Sequence, residues 1–240
     1  MTTMSSRRSG PRPERLGSCV AALVCLVLLG ACSGGKRPAA SPLLHKAAEA
    51  MGEVSSVRFR IDVDGVLSPL PIVHVDGVLT RAGDAKGSFT SEVGNDLIES
   101  DFVLLGGELF YRGSTGPYQI LPARMAGAVY DPAVLLAESA GLPSVLAGAQ
   151  GAETKGTERV AGVETYEIRA RVTPELLEGL TVLDPGQERI PAKLWVATEG
   201  GLLIRAEVEF RTLGERSDTK LVLTLSNFDK PVTIERPPTR

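Results

Sequence analysis

From residue 57 onward one pattern recurs about ten times: apolar and polar side chains alternate with a period of two. Val57, Phe59, Ile61 and Val63 alternate with Arg58, Arg60, Asp62 and Asp64. Val73, Val75, Gly77 and Leu79 do so against His74, Asp76 and Thr80, and Tyr166, Ile168, Ala170 and Val172 against Glu167, Arg169 and Arg171. Successive side chains of a strand point to opposite faces, so each run is predicted to be a strand with one apolar and one charged face. Further runs lie at 87–93, 97–105, 108–112, near 118–121, 154–160, 190–196, 202–210 and 221–225, separated by glycine-rich turn signals. In the 202–210 run the apolar set is Leu202, Ile204, Ala206, Val208 and Phe210. About ten antiparallel strands curl rather than stay flat. One apolar face then needs a cover.

Three stretches break the alternation and can supply it. Ser41 reads as an N-cap with Pro42 in the first helical position, Leu43, Leu44, Ala47, Ala48 and Met51 share one face, and Gly52 reads as the stop. Asp131-Pro132 opens a second helix over 133–140, Gly141-Leu142-Pro143 interrupts it, and a third runs over 144–149. That stretch has only Asp131 and Glu138 as charges, so it is no ordinary surface helix. Thr173-Pro174 caps a short helix through Leu180. The expected class is α+β: a strongly curved antiparallel half-barrel sheet of about ten strands, with helices packed on its concave face around an apolar cavity. A curled sheet of this size can enclose a ligand-sized space. The residues placed to line it are Phe59, Ile61, Val75 and Leu104 from strands and Leu135, Leu136 and Leu146 from helices. Ser91 shares a strand face with Phe89 and Val93, and its small side chain fills less volume. Two readings of the interior stay open, since leucine and valine stripes also build filled cores.

Residues 1–15 carry Arg7, Arg8, Arg12 and Arg15 against Glu14 alone, and an apolar run follows over 20–29. With the small residues after it, this reads as a secretory signal peptide. It is shorter than the roughly 20 residues of a membrane span. Leu29-Gly30-Ala31-Cys32 resembles a bacterial lipobox, in which the cysteine takes a diacylglycerol and becomes the first mature residue. The expected organisation is a signal peptide over 1–31, a lipidated tether over 32–40 and a single domain over 41–240, held to the extracytoplasmic face of the cell membrane. A passenger cysteine in an ordinary secreted chain is the alternative. Arg7-Arg8 also suits twin-arginine export, but Pro11 and Pro13 fall where that signal would continue, which favours the general route.

Without residues 1–31 the remaining 209 carry 22 Lys and Arg against 28 Asp and Glu. That balance argues against nucleic acid as a partner. Cys19 and Cys25 leave with the signal, so no disulfide staples the fold and apolar burial must hold it. Catalytic and metal motifs are missing. His45 and His74 form no ligand pair, Ser144 sits in Leu-Pro-Ser-Val rather than a nucleophile elbow, and Gly106-Gly107 reads as a turn. Paired-carboxylate catalysis stays open on sequence, although the acids alternate with arginines as on a solvated surface. No cofactor, no metal and no catalytic residue is expected. Trp195 is out of phase with its strand's apolar set and reads equally as an exposed contact or a boundary residue.

Several segments carry a resemblance in order along the chain. They are Ser100-Asp101-Phe102-Val103-Leu104, Gly107-Glu108-Leu109-Phe110-Tyr111, Val129-Tyr130-Asp131-Pro132-Ala133, Gly141-Leu142-Pro143-Ser144-Val145-Leu146-Ala147, Ile190-Pro191-Ala192-Lys193-Leu194-Trp195-Val196 and Leu223-Thr224-Leu225-Ser226. Together they resemble the mycobacterial lipoprotein family of LppX, LprA, LprF and LprG, its LprG members most of all. The resemblance implies a half-barrel similar to the LolA and LolB carriers, with a large apolar cavity for acyl chains of triacylated glycolipids or triacylglycerol. It places Phe89 at the cavity mouth, where a smaller aliphatic residue is expected, so that the entrance is narrowed. It also implies cooperation with a major-facilitator efflux transporter. The expected function is therefore membrane-anchored, non-enzymatic lipid or glycolipid binding and transfer. A scaffold or interaction lipoprotein with a filled core, and an acyl-acting enzyme, are the rivals.

Overall fold

The computed structural model describes residues 37–65, 71–121, 132–137, 139–177, 180, 187–211 and 218–239. Cys32, the leader, Asp131 and Glu138 lie outside the described residues. The chain enters through helix α1 (Ala40–Glu53) and then makes β1 (Ser56–Asp64), β2 (Ile72–Thr80), β3 (Ala85–Val93), β4 (Asp96–Leu105), β5 (Glu108–Arg112) and β6 (Gln119–Ile120). A 3-10 helix (Pro132–Leu136) and α2 (Leu142–Gly148) precede β7 (Gln150–Val160) and β8 (Val163–Val172). After α3 (Pro174–Leu177) come β9 (Ile190–Ala197), β10 (Leu203–Phe210) and β11 (Thr219–Ser226).

Among the described residues eleven strands form one antiparallel sheet in the order β6-β5-β4-β3-β2-β1-β11-β10-β9-β8-β7. Two meanders thus meet where the first strand pairs with the last. Phe59 faces Leu225 and Ile61 faces Leu223 across that seam. The alternation seen in the sequence sets the faces: a register row runs Thr154, Ile168, Leu194, Ala206, Leu223, Ile61, Val75, Phe89, Ser100 across nine strands.

α1 shows that the sheet curls. Its entry is held at β7, where Thr154 Oγ1 donates to the Pro38 carbonyl at 2.8 Å. Its exit is held beyond β2, where Arg81 donates from Nε to the Val54 carbonyl at 2.9 Å and from Nη2 to the Met51 carbonyl at 3.3 Å. In a flat sheet these anchor points, six strands and some six residues apart, would stand roughly 35 Å from each other. The helix between them is about 21 Å long. Only a bent sheet lets one helix reach both. Gly77 on β2 and Gly87 on β3 face each other at the bend. The Phe59 ring lies where a Gly77 side chain would stand, and a Cβ on Gly87 would come 2.1 Å from the Asp76 carbonyl.

Five local expectations are corrected. Ala39, extended at ψ 132°, is the N-cap of α1 and makes no side-chain cap bond, so Ser41 lies inside the first turn. Gly52 does not stop α1, which runs to Glu53 with Val54 as C-cap; Arg81 takes up carbonyls at that end. Leu142-Pro143 opens α2 instead of breaking a helix, because a proline in the first turn has no intrahelical N–H partner to lose. In β10 a bulge between Leu203 and Arg205 turns Ile204 out of the inner set. Ile204 joins Val160, Trp195 and Ala197 in a small cluster on the outer face. Trp195 is therefore buried, neither exposed nor at a boundary, with the Arg205 guanidinium 5.1 Å from its ring centre.

The rest of the outer face is a charge lattice. Arg58 and Arg60 share Asp76, Asp101 pairs with Arg112, and His74 Nδ1 lies 2.7 Å from Asp62. Glu207 is buried; that opposes its ionisation, but Lys193 at 2.5 Å and Lys220 at 3.3 Å outweigh it and hold the carboxyl below the usual range. Past β11 the chain crosses this face as an extended strap. The Ser55 N–H and hydroxyl donate to Asp229 Oδ1 at 2.7 and 2.8 Å, Lys86 Nζ donates to the Thr233 carbonyl at 2.9 Å, and Arg236 pairs with Glu108 at 2.9 Å.

Two outcomes follow from this packing. Gly87→Ala should cost about 2–3 kcal/mol in urea unfolding, since the backbone it meets cannot step aside. The Ser55 bonds hold the Asp229 carboxyl below its ordinary value, so its stabilisation is complete above about pH 4 and is lost as pH falls through the lowered one. The urea midpoints of the parent chain and Asp229→Asn should differ at pH 7 and converge on acidification.

Candidate functional site

The inner face divides into two halves along the strands. Call the end where α1 hands over to β1 the near end, and the end carrying Asp64, Val93, Val172, Phe210 and Thr219 the far end. In the near half Leu44, Ala47 and Met51 of α1 pack against Val57, Phe59, Leu79, Ala85, Val196, Leu203 and Leu225, all buried. That half is solid. The far half is covered by elements of five, seven and four residues, the 3-10 helix, α2 and α3. Short rods cannot follow a curved floor, and a space is left beneath them.

That space is a cavity of about 70 Å³. Its floor is Ile61 of β1, Leu221 and Leu223 of β11, Ala206 and Val208 of β10, and Ala192 and Leu194 of β9. Leu135, Leu142, Val145, Leu146, Leu177 and Leu180 close it from above. Every lining side chain is a hydrocarbon. Such a site can hold an apolar group by exclusion from water but offers nothing to orient or ionise a reacting one. Ala192 and Ala206 are the two small residues in the floor. Ala206 lies in register between Leu194 and Leu223, so the missing volume is directly under the cover.

The structure brings together three of the residues singled out in the sequence, Ile61, Leu135 and Leu146, at this cavity. Phe59 and Leu136 are buried in the main core and do not line the cavity. Val75 and Leu104 are half-buried against the edge of that core. Phe89 and Ser91 stand half-buried on the inner face of β3, beyond Val75, and Ser91 Oγ reaches the Ile98 carbonyl at 3.5 Å. Cys32 lies outside the described residues. The floor residues of β9, β10 and β11 were not singled out, although their alternation is as plain as that of β1; only the strand order puts them under the short helices.

The ionisable groups lie elsewhere. His45 is exposed on α1, and His74 is on the outer face with Asp62. Among the described residues no three His, Cys, Asp or Glu side chains gather as a metal site. Carboxyls held below their usual range, Glu153 by Lys155, Glu175 by Thr173 and Glu207 by its lysines, do not line the cavity.

Comparison with known proteins extends over nearly the whole described chain. Residues 39–234 match the family described as LppX_LprAFG lipoprotein. The lipoarabinomannan carrier protein LprG of Mycobacterium leprae is 27% identical over 207 residues, covering 85% of each chain. Lipoprotein LprA of Mycobacterium tuberculosis is 27% identical over 205 residues, 82% of this chain and 81% of that one. The crystal structure of LprF from Mycobacterium bovis superposes with a TM-score of 0.69 at 22% identity, covering 82% of this chain and 96% of its own. LppX from Mycobacterium tuberculosis gives 0.61 at 20%, covering 83% and 100%. At these identities the structural likeness shows the fold.

Ala206→Leu should fill the space from its floor. Thermal stability is expected to stay level or rise, while uptake of an apolar fluorescent probe falls about tenfold, the scale of one to two kcal/mol of overpacking. Titrating the probe into both chains checks this.

Proposed function

The chain belongs to the LppX_LprAFG lipoprotein family, and from that premise we propose that it binds acyl chains of lipids or glycolipids in the inner cavity and carries them at the extracytoplasmic membrane surface. The observation that carries this reading is the all-hydrocarbon space between the curved sheet and its short helical cover. Relatives named lipoarabinomannan carrier protein support a glycan-bearing lipid as cargo. Triacylated glycolipids and triacylglycerol are the further candidates. A lipidated Cys32 would supply the anchor, since two acyl chains give stable attachment where one is marginal. Residues 32–40 would be its tether and 41–240 the single carrier domain. The role is non-enzymatic, and a major-facilitator efflux transporter is the proposed partner in moving the cargo on.

The energetics suit a carrier. A tail of about 14 methylenes gains on the order of 11 kcal/mol on leaving water, as an upper bound. Leaving a bilayer for the cavity changes little, because the tail stays in hydrocarbon. Transfer then runs in either direction at small cost, and a membrane tether keeps the mouth close to the donor.

The cavity must grow to do this. An apolar hole of about 150 Å³ takes one benzene, and the space here is half that. The short cover is the part that can give way: α2 has no side-chain cap bond, and the 3-10 helix and α3 are single turns. α1, fastened at both ends, stays. Phe89 would narrow the entrance. The same small volume favours the rival reading, a scaffold with a filled interior.

Native mass spectrometry of the Cys32→Ser chain purified from a mycobacterial host separates the two. Lipid-mass adducts are expected, with hydrogen exchange slowed over 132–137 and 142–148 in the loaded form. A bare mass after gentle purification would sink the carrier.

A further inference from the structure

Five large hydrophobic side chains are well exposed among the described residues, and three of them sit on one hairpin: Val93 at 54%, Leu97 at 68% and Ile98 at 38%. The β3–β4 turn at Gly94 and Asn95, with φ +69° at the glycine, projects them at the far end of the sheet. Ile98 pairs with Ser91 and so shares the inner face with Val93, whereas Leu97, opposite Glu92, points to the outer face. Both faces of the tip thus present aliphatic side chains, each with a carboxylate opposite: Asp96 by Val93 and Glu92 by Leu97. A folded partner laid against one sheet face would leave the other aliphatic side wet; a medium that surrounds the tip leaves neither.

The path of the chain favours the same medium. Pro38 is pinned to Thr154 on β7, and Cys32 lies six residues before it, a reach of about 20 Å. Thr154 is four residues from the far end of β7, about 13 Å, and six from the near end, about 20 Å. An anchored Cys32 therefore reaches a plane at the far end with slack and one at the near end only at full stretch. The cavity also lies in the far half.

We propose that the β3–β4 hairpin tip is a membrane-docking wedge that enters the bilayer interface at the same end of the sheet as the cavity, an inference that rests on the anchored-carrier reading above. Glu92, Asp96 and Glu99 flank the tip and residues 91–98 hold no Lys or Arg, so the wedge suits a zwitterionic surface and not an anionic one. A contact this small is weak alone; the tether raises its effective concentration.

The test uses the full chain acylated at Cys32, with Leu97→Cys as the single free thiol, labelled with a polarity-sensitive dye and reconstituted on phosphatidylcholine vesicles. A blue shift and about tenfold weaker iodide quenching are expected, with no change for a label at Glu199→Cys on the near-end turn. In Val93→Asp/Leu97→Asp, vesicle-to-vesicle transfer of a pyrene-labelled lipid should slow at least tenfold while equilibrium loading holds. A Leu97 label as quenched as the Glu199 one on chains that float with the vesicles overturns the wedge, as does unchanged transfer in the double variant. Chains that neither float nor load lipid overturn the carrier reading and the wedge with it.

Discussion

A curled sheet with an apolar concave face has to be roofed, and one helix can roof only half of it. That constraint organises the molecule. α1 crosses from β7 to β2 and fixes the chord of the curve, with Thr154 and Arg81 as its two fastenings. Under it the near half packs closely. Past its span only single-turn and two-turn elements remain, and the hollow follows from their shortness. Close packing and space are thus two outcomes of one geometry.

The outer face does different work. Its arginines, lysines and carboxylates pair across neighbouring strands, which contributes solubility more than stability, since exposed pairs are individually worth little. Two features break the lattice. The β10 bulge rotates Ile204 outward to complete a pocket for Trp195, and the strap after β11 lays Arg236 over Phe110, 4.9 Å from the ring centre. Each covers an aromatic ring on the outer face. The period of two puts Trp195 on the outer side, where it lies, but the bulge shifts the phase within β10 and so misplaces Ile204.

For a carrier the division between halves matters. Cargo has to enter hydrocarbon without the fold dissolving, and a rigid near half with a lightly held far cover separates those demands. The small volume suits this: an apolar hollow kept wide open in water would lose packing contacts on every wall.

Much of this was legible in the residues. The period of two in Val57–Val63 or Tyr166–Val172, the leading helix and the interposed short ones determined a curved α+β half-barrel with two unlike faces, because strand geometry leaves alternation no other use. The family resemblance rested on segments spread over the same span. Tertiary structure alone decided which apolar residues meet space and which meet each other. Phe59 and Ile61 are two apart on one strand and identical in pattern, yet one fills the gap over Gly77 and the other floors the cavity. Alternation encodes the face a side chain takes, whereas what stands opposite depends on strand order and helix length, and those are set by contacts between residues more than a hundred positions apart.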